Sequence, residues 1–142
     1  MKSKNFKNRN KKSGKLLSDH IVFHTKYNRP MLVNYISIKA KIIICDILKN
    51  FNCEAIEINV QPNHVHLLFS YPPTIAPSNV VKKVKGMSST LLRRQFPELV
   101  KQCPKALWNS YVHHMSVGHD IKSIKIYIQT QNKRHKYKND GR

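Results

Sequence analysis

The chain has 142 residues, enough for one domain with a true core and too few for two. Its 26 Lys and Arg against 7 Asp and Glu leave a net charge of +19, which points to a polyanionic partner, DNA or RNA, with an anionic membrane surface as the weaker alternative. No apolar run approaches the ~20 residues of a membrane span and no signal-peptide core opens the chain, while three cysteines (Cys45, Cys53, Cys103) without metal-type spacing argue against a disulfide framework and fit a reducing cytoplasm.

Met1 to Lys15 is rich in Lys, Arg and Asn and lacks acids, so a flexible basic arm is expected over residues 1–18. His20-Ile21-Val22-Phe23-His24-Thr25 is a strand pattern with Ile21 and Phe23 on one face, and Asn28-Arg29-Pro30 ends it. Ile36, Ala40, Ile43, Ile44, Ile47 and Leu48 recur at a helical period, which predicts a helix over Val33 to Asn50. Cys53 to Val60 alternates Ala55/Glu57/Asn59 against Ile56/Ile58/Val60, a second strand, and Gln61-Pro62-Asn63 is a turn. A third strand runs from His64 to about Tyr71, where Pro72, Pro73 and Pro77 stop it.

Ser78 is a candidate N-cap for a helix through Phe96 with Val80, Val84, Met87 and Leu91 buried. Lys82, Lys83, Lys85, Arg93 and Arg94 cover much of its remaining surface. Acidic partners are nearly absent, so these five, with Lys26 and Arg29, are the candidate DNA contacts. Pro97 and Pro104 bracket a connector. Trp108 to Val117 reads as a fourth strand, Gly118 as a turn, and Asp120 as the cap of a last helix to about Lys133. Residues 133–142 form a basic tail. The order β-α-β-β-α-β predicts an α+β, ferredoxin-like (RRM-like) sandwich with a four-stranded antiparallel sheet and an added C-terminal helix.

In the third strand His64 and His66 project to one face, while Val65, Leu67 and Phe69 project to the other. Two imidazoles so spaced can share a divalent ion. On the last helix Tyr127 and Gln131 stand at i and i+4, and Tyr127 flanks the apolar stripe of Ile121, Ile124 and Ile128. A phenol with a pKa near 10 is a poor nucleophile unless charge on its phosphate target is offset, as an ion on His64 and His66 could do. Gln131 could add a carbonyl oxygen, a donor set suited to Mg²⁺ or Mn²⁺. Taken alone, each of these residues has an ordinary reading: a satisfied histidine pair, a packing tyrosine, a surface glutamine. His113 and His114, as neighbours on a strand, should face opposite sides. Gly86 and Ser88 fit either close helix packing or backbone approach to a nucleic acid.

His20-Ile21-Val22-Phe23 leading to Lys26-Tyr27, His64-Val65-His66-Leu67-Leu68, Lys85-Gly86-Met87-Ser88-Ser89, Leu107-Trp108-Asn109-Ser110-Tyr111, Ser116-Val117-Gly118 and Tyr127-Ile128-Gln129-Thr130-Gln131 together resemble the single-tyrosine HUH transposases. These are small bacterial insertion-sequence enzymes that move elements as single-stranded DNA. The resemblance covers residues 19–132 as one domain. It implies Tyr127 as the nucleophile forming a 5′-phosphotyrosine, His64 and His66 as metal ligands assisted by Gln131, and hairpins at element ends as the DNA. It also implies a homodimer whose C-terminal helix can be exchanged about a hinge near Gly118. Three features depart from the family pattern: Asn63 where Asp is common, His24 where a small or polar residue is usual, and the long basic arm. Two other readings compete: a non-catalytic basic RRM-like module, and another HUH nuclease such as a replication initiator or relaxase.

Overall fold

Two strands rich in β-branched and aromatic residues form the centre of the sheet. In the computed structural model, which describes residues 17–115 and 128–129, β1 (Leu17–His24) pairs antiparallel with β3 (His64–Tyr71), from Leu17 opposite Tyr71 to His24 opposite His64. β2 (Glu54–Gln61) flanks β3, and β4 (His113–Met115) flanks β1. The order β2-β3-β1-β4, antiparallel throughout, is that of the split βαβ arrangement expected from sequence. β1 starts at Leu17, so residues 17 and 18 belong to the sheet although they fall in the stretch assigned to the arm.

Helix α1 (Asn34–Asn50) buries the six residues its periodicity marks: Ile36, Ala40, Ile43, Ile44, Ile47 and Leu48. It ends through Asn52, whose φ of 57° is one that Asn tolerates well. Helix α2 (Pro77–Gln95) starts one residue before the expected cap. Pro77 takes its first turn, Ala76 precedes it, and Ser78 lies inside the helix and makes no cap bond. Its buried stripe is also rotated from the expected one. Val80 and Val84 are buried as expected, but Met87 is exposed, and Val81, Ser88, Ser89 and Leu92 are buried. The reason is hydrogen bonding. Ser88 Oγ accepts from the indole of Trp108 at 2.9 Å, and Ser89 Oγ accepts from the backbone N–H of Leu107 at 3.1 Å. Ser88 therefore serves packing. Gly86 is exposed, and a Cβ there would meet nothing within 4 Å, so close packing does not require it. The Pro97–Pro104 connector contains a short helix, α3 (Pro97–Gln102), anchored by buried Leu99.

One core fills the space between sheet and helices. Ile21 and Phe23 of β1 and Val65, Leu67 and Phe69 of β3 point into it, against α1 and α2. β2 departs from simple alternation at one point. A bulge between Ala55 and Glu57 inserts Ile56, which leaves the main core and packs on the opposite face with Leu68 and Ile128. The fourth strand is shorter than its expected Trp108–Val117 span. Trp108 makes only an isolated bridge to Thr25, and regular pairing covers His113–Met115 among the described residues. Between them, the carbonyls of Asn109 and Tyr111 accept from Lys85 Nζ instead of a strand. The expectations for Gly118, Asp120, the arm before Leu17 and most of the last helix lie outside the described residues. Ile128 and Gln129 are helical.

Candidate active site

The face of the sheet turned away from α1 and α2 carries imidazoles. Residues opposite one another in antiparallel strands project to the same side, so His20, Val22 and His24 of β1 share this face with His64, His66 and Leu68 of β3. The His64 and His66 rings lie 5.0 Å apart, inclined at 75°, and each residue is 8% exposed. The His24 ring stacks on His64 at 5.2 Å and 29°, and His20 lies 6.1 Å from His66. Burial pushes the pKa of His20 down against the pull of Asp19. Burial lowers that of His24 too, with repulsion from His113 adding to it.

Asn63 braces the pair. Its Oδ1 lies 2.7 Å from His64 Nδ1. With the carbonyl as acceptor, Nδ1 carries the proton and Nε2 carries the lone pair that can bind a cation. Asn63, which stands where the family commonly has Asp, therefore holds the ring. The hairpin behind this geometry is tight: β2 ends at Gln61, β3 begins at His64, and Pro62-Asn63 is the whole connection. That register sets Gln61 opposite His64 and Asn59 opposite His66.

Those two β2 residues were not singled out from sequence, and they tie the last helix down. Gln61 Nε2 donates to Asn59 Oδ1 at 2.9 Å, and Asn59 Nδ2 donates to the backbone carbonyl of Ile128 at 3.2 Å. Ile128 is fully buried on Leu68, two positions from His66 on the same strand face, and Gln129 Nε2 reaches Glu57 at 3.5 Å. Their signal was present in the phase of the sequence: Asn59 and Gln61 alternate in step with His64 and His66 across a two-residue loop. The chemistry of the His64–His66 pair suits a divalent ion with open coordination positions. Among the described residues no third His, Cys, Asp or Glu joins them as a metal cage. Tyr127 and Gln131, the expected nucleophile and third ligand, lie outside the described residues.

The candidate DNA contacts divide. Lys82, Lys83 and Arg94 are exposed on α2, on the far side of the sheet from the histidines. Three others are engaged by the protein itself. Lys85 Nζ donates to Asn109 O at 2.6 Å and burial lowers its pKa. Arg93 donates to the carbonyls of Ser89 and Pro104, and Arg29 to that of Gln102. Lys26 and Arg29 also lie 5.7 and 5.3 Å from the ring centre of Tyr27. Tyr27 is 70% exposed at a φ of 61°, a left-handed conformation that a bulky residue adopts only when its surroundings impose it. His113 and His114 face opposite sides as expected. His113 contacts His24, whereas His114 Nδ1 lies 3.1 Å from Asp19 Oδ2.

Comparison with known proteins adds independent observations. Residues 13–131 match the family model described as "Transposase IS200 like". The chain is 32% identical over 117 residues to the ISDra2 transposase TnpA of Deinococcus radiodurans, covering 81% of this chain and 84% of that one. It is 28% identical over 113 residues to the transposase for insertion sequence element IS200 of Salmonella typhimurium, covering 79% and 74%. A Deinococcus radiodurans R1 crystal structure at 1.90 Å resolution superposes with a TM-score of 0.69 at 29% identity, over 82% of this chain and 92% of that one. A REP-associated tyrosine transposase bound to a REP hairpin shares the fold, with a TM-score of 0.60 at 16% identity over 83% and 67%.

Proposed function

The chain belongs to the IS200-like transposase family, and from that premise we propose that it cleaves and rejoins single-stranded DNA at insertion-sequence ends through a 5′-phosphotyrosine on Tyr127. The observation that carries this reading is the seat of Ile128. The residue that follows Tyr127 in the chain is buried on Leu68, on the same strand face as His66, and held there by Asn59. An anchor on the residue next to Tyr127 in sequence, together with a braced imidazole pair on the same sheet face, supports a phosphoryl-transfer site.

His64 and His66 would hold a Mg²⁺ or Mn²⁺ ion, with Gln131 completing the set. A bound ion would offset charge on the scissile phosphate. Asn63 fixes the tautomer of His64, so its Nε2 lone pair is oriented before DNA arrives. The Tyr127 oxygen attacks phosphorus and the bond to the 3′ oxygen breaks. The phenolic proton passes to solvent and the departing oxygen takes one up from solvent, leaving as a 3′-hydroxyl. Rejoining runs the same steps backwards, with a 3′-hydroxyl displacing tyrosine, so the phosphodiester energy is retained and no nucleotide cofactor is needed. The exposed cations of α2, across the sheet, are suited to the phosphates of a hairpin end. A homodimer acting in the cytoplasm completes the reading. The docking of Ile128 within its own chain supports placement of the tyrosine in cis, and exchange of the helix between copies would use the same Leu68 and Asn59 surface.

The test is denaturing electrophoresis of the protein with labelled single-stranded element ends and Mn²⁺. The wild type should give a slower band that survives SDS and is lost to protease. Tyr127→Phe should bind the DNA and give no such band. An adduct formed by the variant would reassign the nucleophile, and none from the wild type would leave a binding module.

A further inference from the structure

A row of rings leads from the sheet edge to the histidine pair. Tyr111 and His113 stand at alternate positions and share a face; their centroids are 5.0 Å apart at 85°. His113 meets His24 at 6.0 Å and 82°, His24 stacks on His64 at 5.2 Å, and His64 meets His66 at 5.0 Å. Exposure falls along the row, from 55% at Tyr111, through exposed His113 and half-buried His24, to 8% at the pair. At the outer end the backbone is held in place by Lys85, whose Nζ donates to the carbonyls of Asn109 and Tyr111.

We propose that Tyr111 and His113 form a base-stacking step that guides a single DNA strand along the sheet toward His64 and His66. Two features select a nucleobase over other occupants. Ring faces inclined to one another leave a surface on which a flat, sequence-tolerant partner stacks. A net charge of +19 attracts the backbone that joins successive bases. The graded exposure gives the path a direction, because the outer rings are open to solvent and the inner pair is not. A strand entering over Tyr111 would deliver its phosphates to the imidazoles without leaving the sheet. This rests on the single-strand reading proposed above, and it assigns a role to side chains outside the Tyr127–His64–His66 constellation.

The experiment measures binding of a fluorescein-labelled dT dodecamer in EDTA by the full chain and its variants, and of dodecamers with 2-aminopurine stepped through the sequence. Stacking predicts about tenfold weaker binding for Tyr111→Ala and for His113→Ala, with restoration by Tyr111→Phe and His113→Phe. Quenching of 2-aminopurine by the wild type should be lost in Tyr111→Ala. Unchanged affinity and quenching in both alanine variants, with wild-type adduct formation intact, would overturn the stacking step and leave the transposase reading standing. A dodecamer that fails to bind the wild type, with no adduct formed, would overturn both. A Tyr111→Ala variant that alters only the sedimentation mass would make the ring row a contact between copies and refute the proposal.

Discussion

Ile128→Ala isolates the attachment of the C-terminal segment from the rest of the fold. Ile128 is fully buried, and among the described residues its cluster holds Leu68 and Ile56, apart from the main core. Truncating a buried isoleucine costs about 2–5 kcal/mol. A loss at the lower end of that range, about 2 kcal/mol, sets the smallest expected effect. That shifts the docked-to-undocked ratio about 30-fold. The readout is amide hydrogen exchange resolved to single residues. Protection at Ile128 and Gln129 should fall about 30-fold, while β3 amides keep theirs, because the core between sheet and helices does not include Ile128. Asn59→Ala, which removes the donor to the Ile128 carbonyl, should weaken the same docking by about 1 kcal/mol, roughly fivefold. Adduct formation should decline in both variants and DNA binding should persist. Equal loss of protection in β3 would show that the segment is part of one cooperative core. Unchanged exchange at Ile128 would show that the contact with Leu68 does not hold it.

Three other outcomes follow from named contacts. Asn63→Ala removes the acceptor at His64 Nδ1 and should weaken Mn²⁺ binding, read by electron paramagnetic resonance, about tenfold; an unchanged affinity would mean the brace is idle. Ser88→Ala strands the Trp108 indole N–H in the core and should cost about 1–3 kcal/mol in urea unfolding without altering the slope, and a loss under about 0.5 kcal/mol would show that the indole finds another acceptor. Burial raises the Cys53 thiol to about 11, so at pH 8 almost none is thiolate; labelling by a thiol reagent should be slow in the native protein, quicken as pH rises toward 11, and become rapid at pH 8 in denaturant. Rapid native labelling at pH 8 would contradict that burial.

The sequence by itself determined the elements whose period repeats without interruption. α1 keeps its six apolar positions because nothing competes with the 3.6-residue repeat, and β3 keeps its two faces because Val65, Leu67 and Phe69 alternate strictly with His64, His66 and Leu68. The split βαβ order followed from the succession of those elements, and the histidine pair from a two-residue spacing within an extended strand. Only the tertiary structure decided what depends on partners distant in the chain. Ser88 fits either helix packing or a nucleic-acid approach until Trp108 donates to it, and Ser89 is placed by the arriving N–H of Leu107. Ile56 reads as core until the bulge turns it over, and Asn59 reads as a surface residue until the carbonyl of Ile128 comes within 3.2 Å. Lys85 and Arg93 read as phosphate contacts, but hydrogen-bond carbonyls of segments that pack beside them. Periodicity records which side of an element avoids water; it carries no record of which polar groups satisfy one another across the fold.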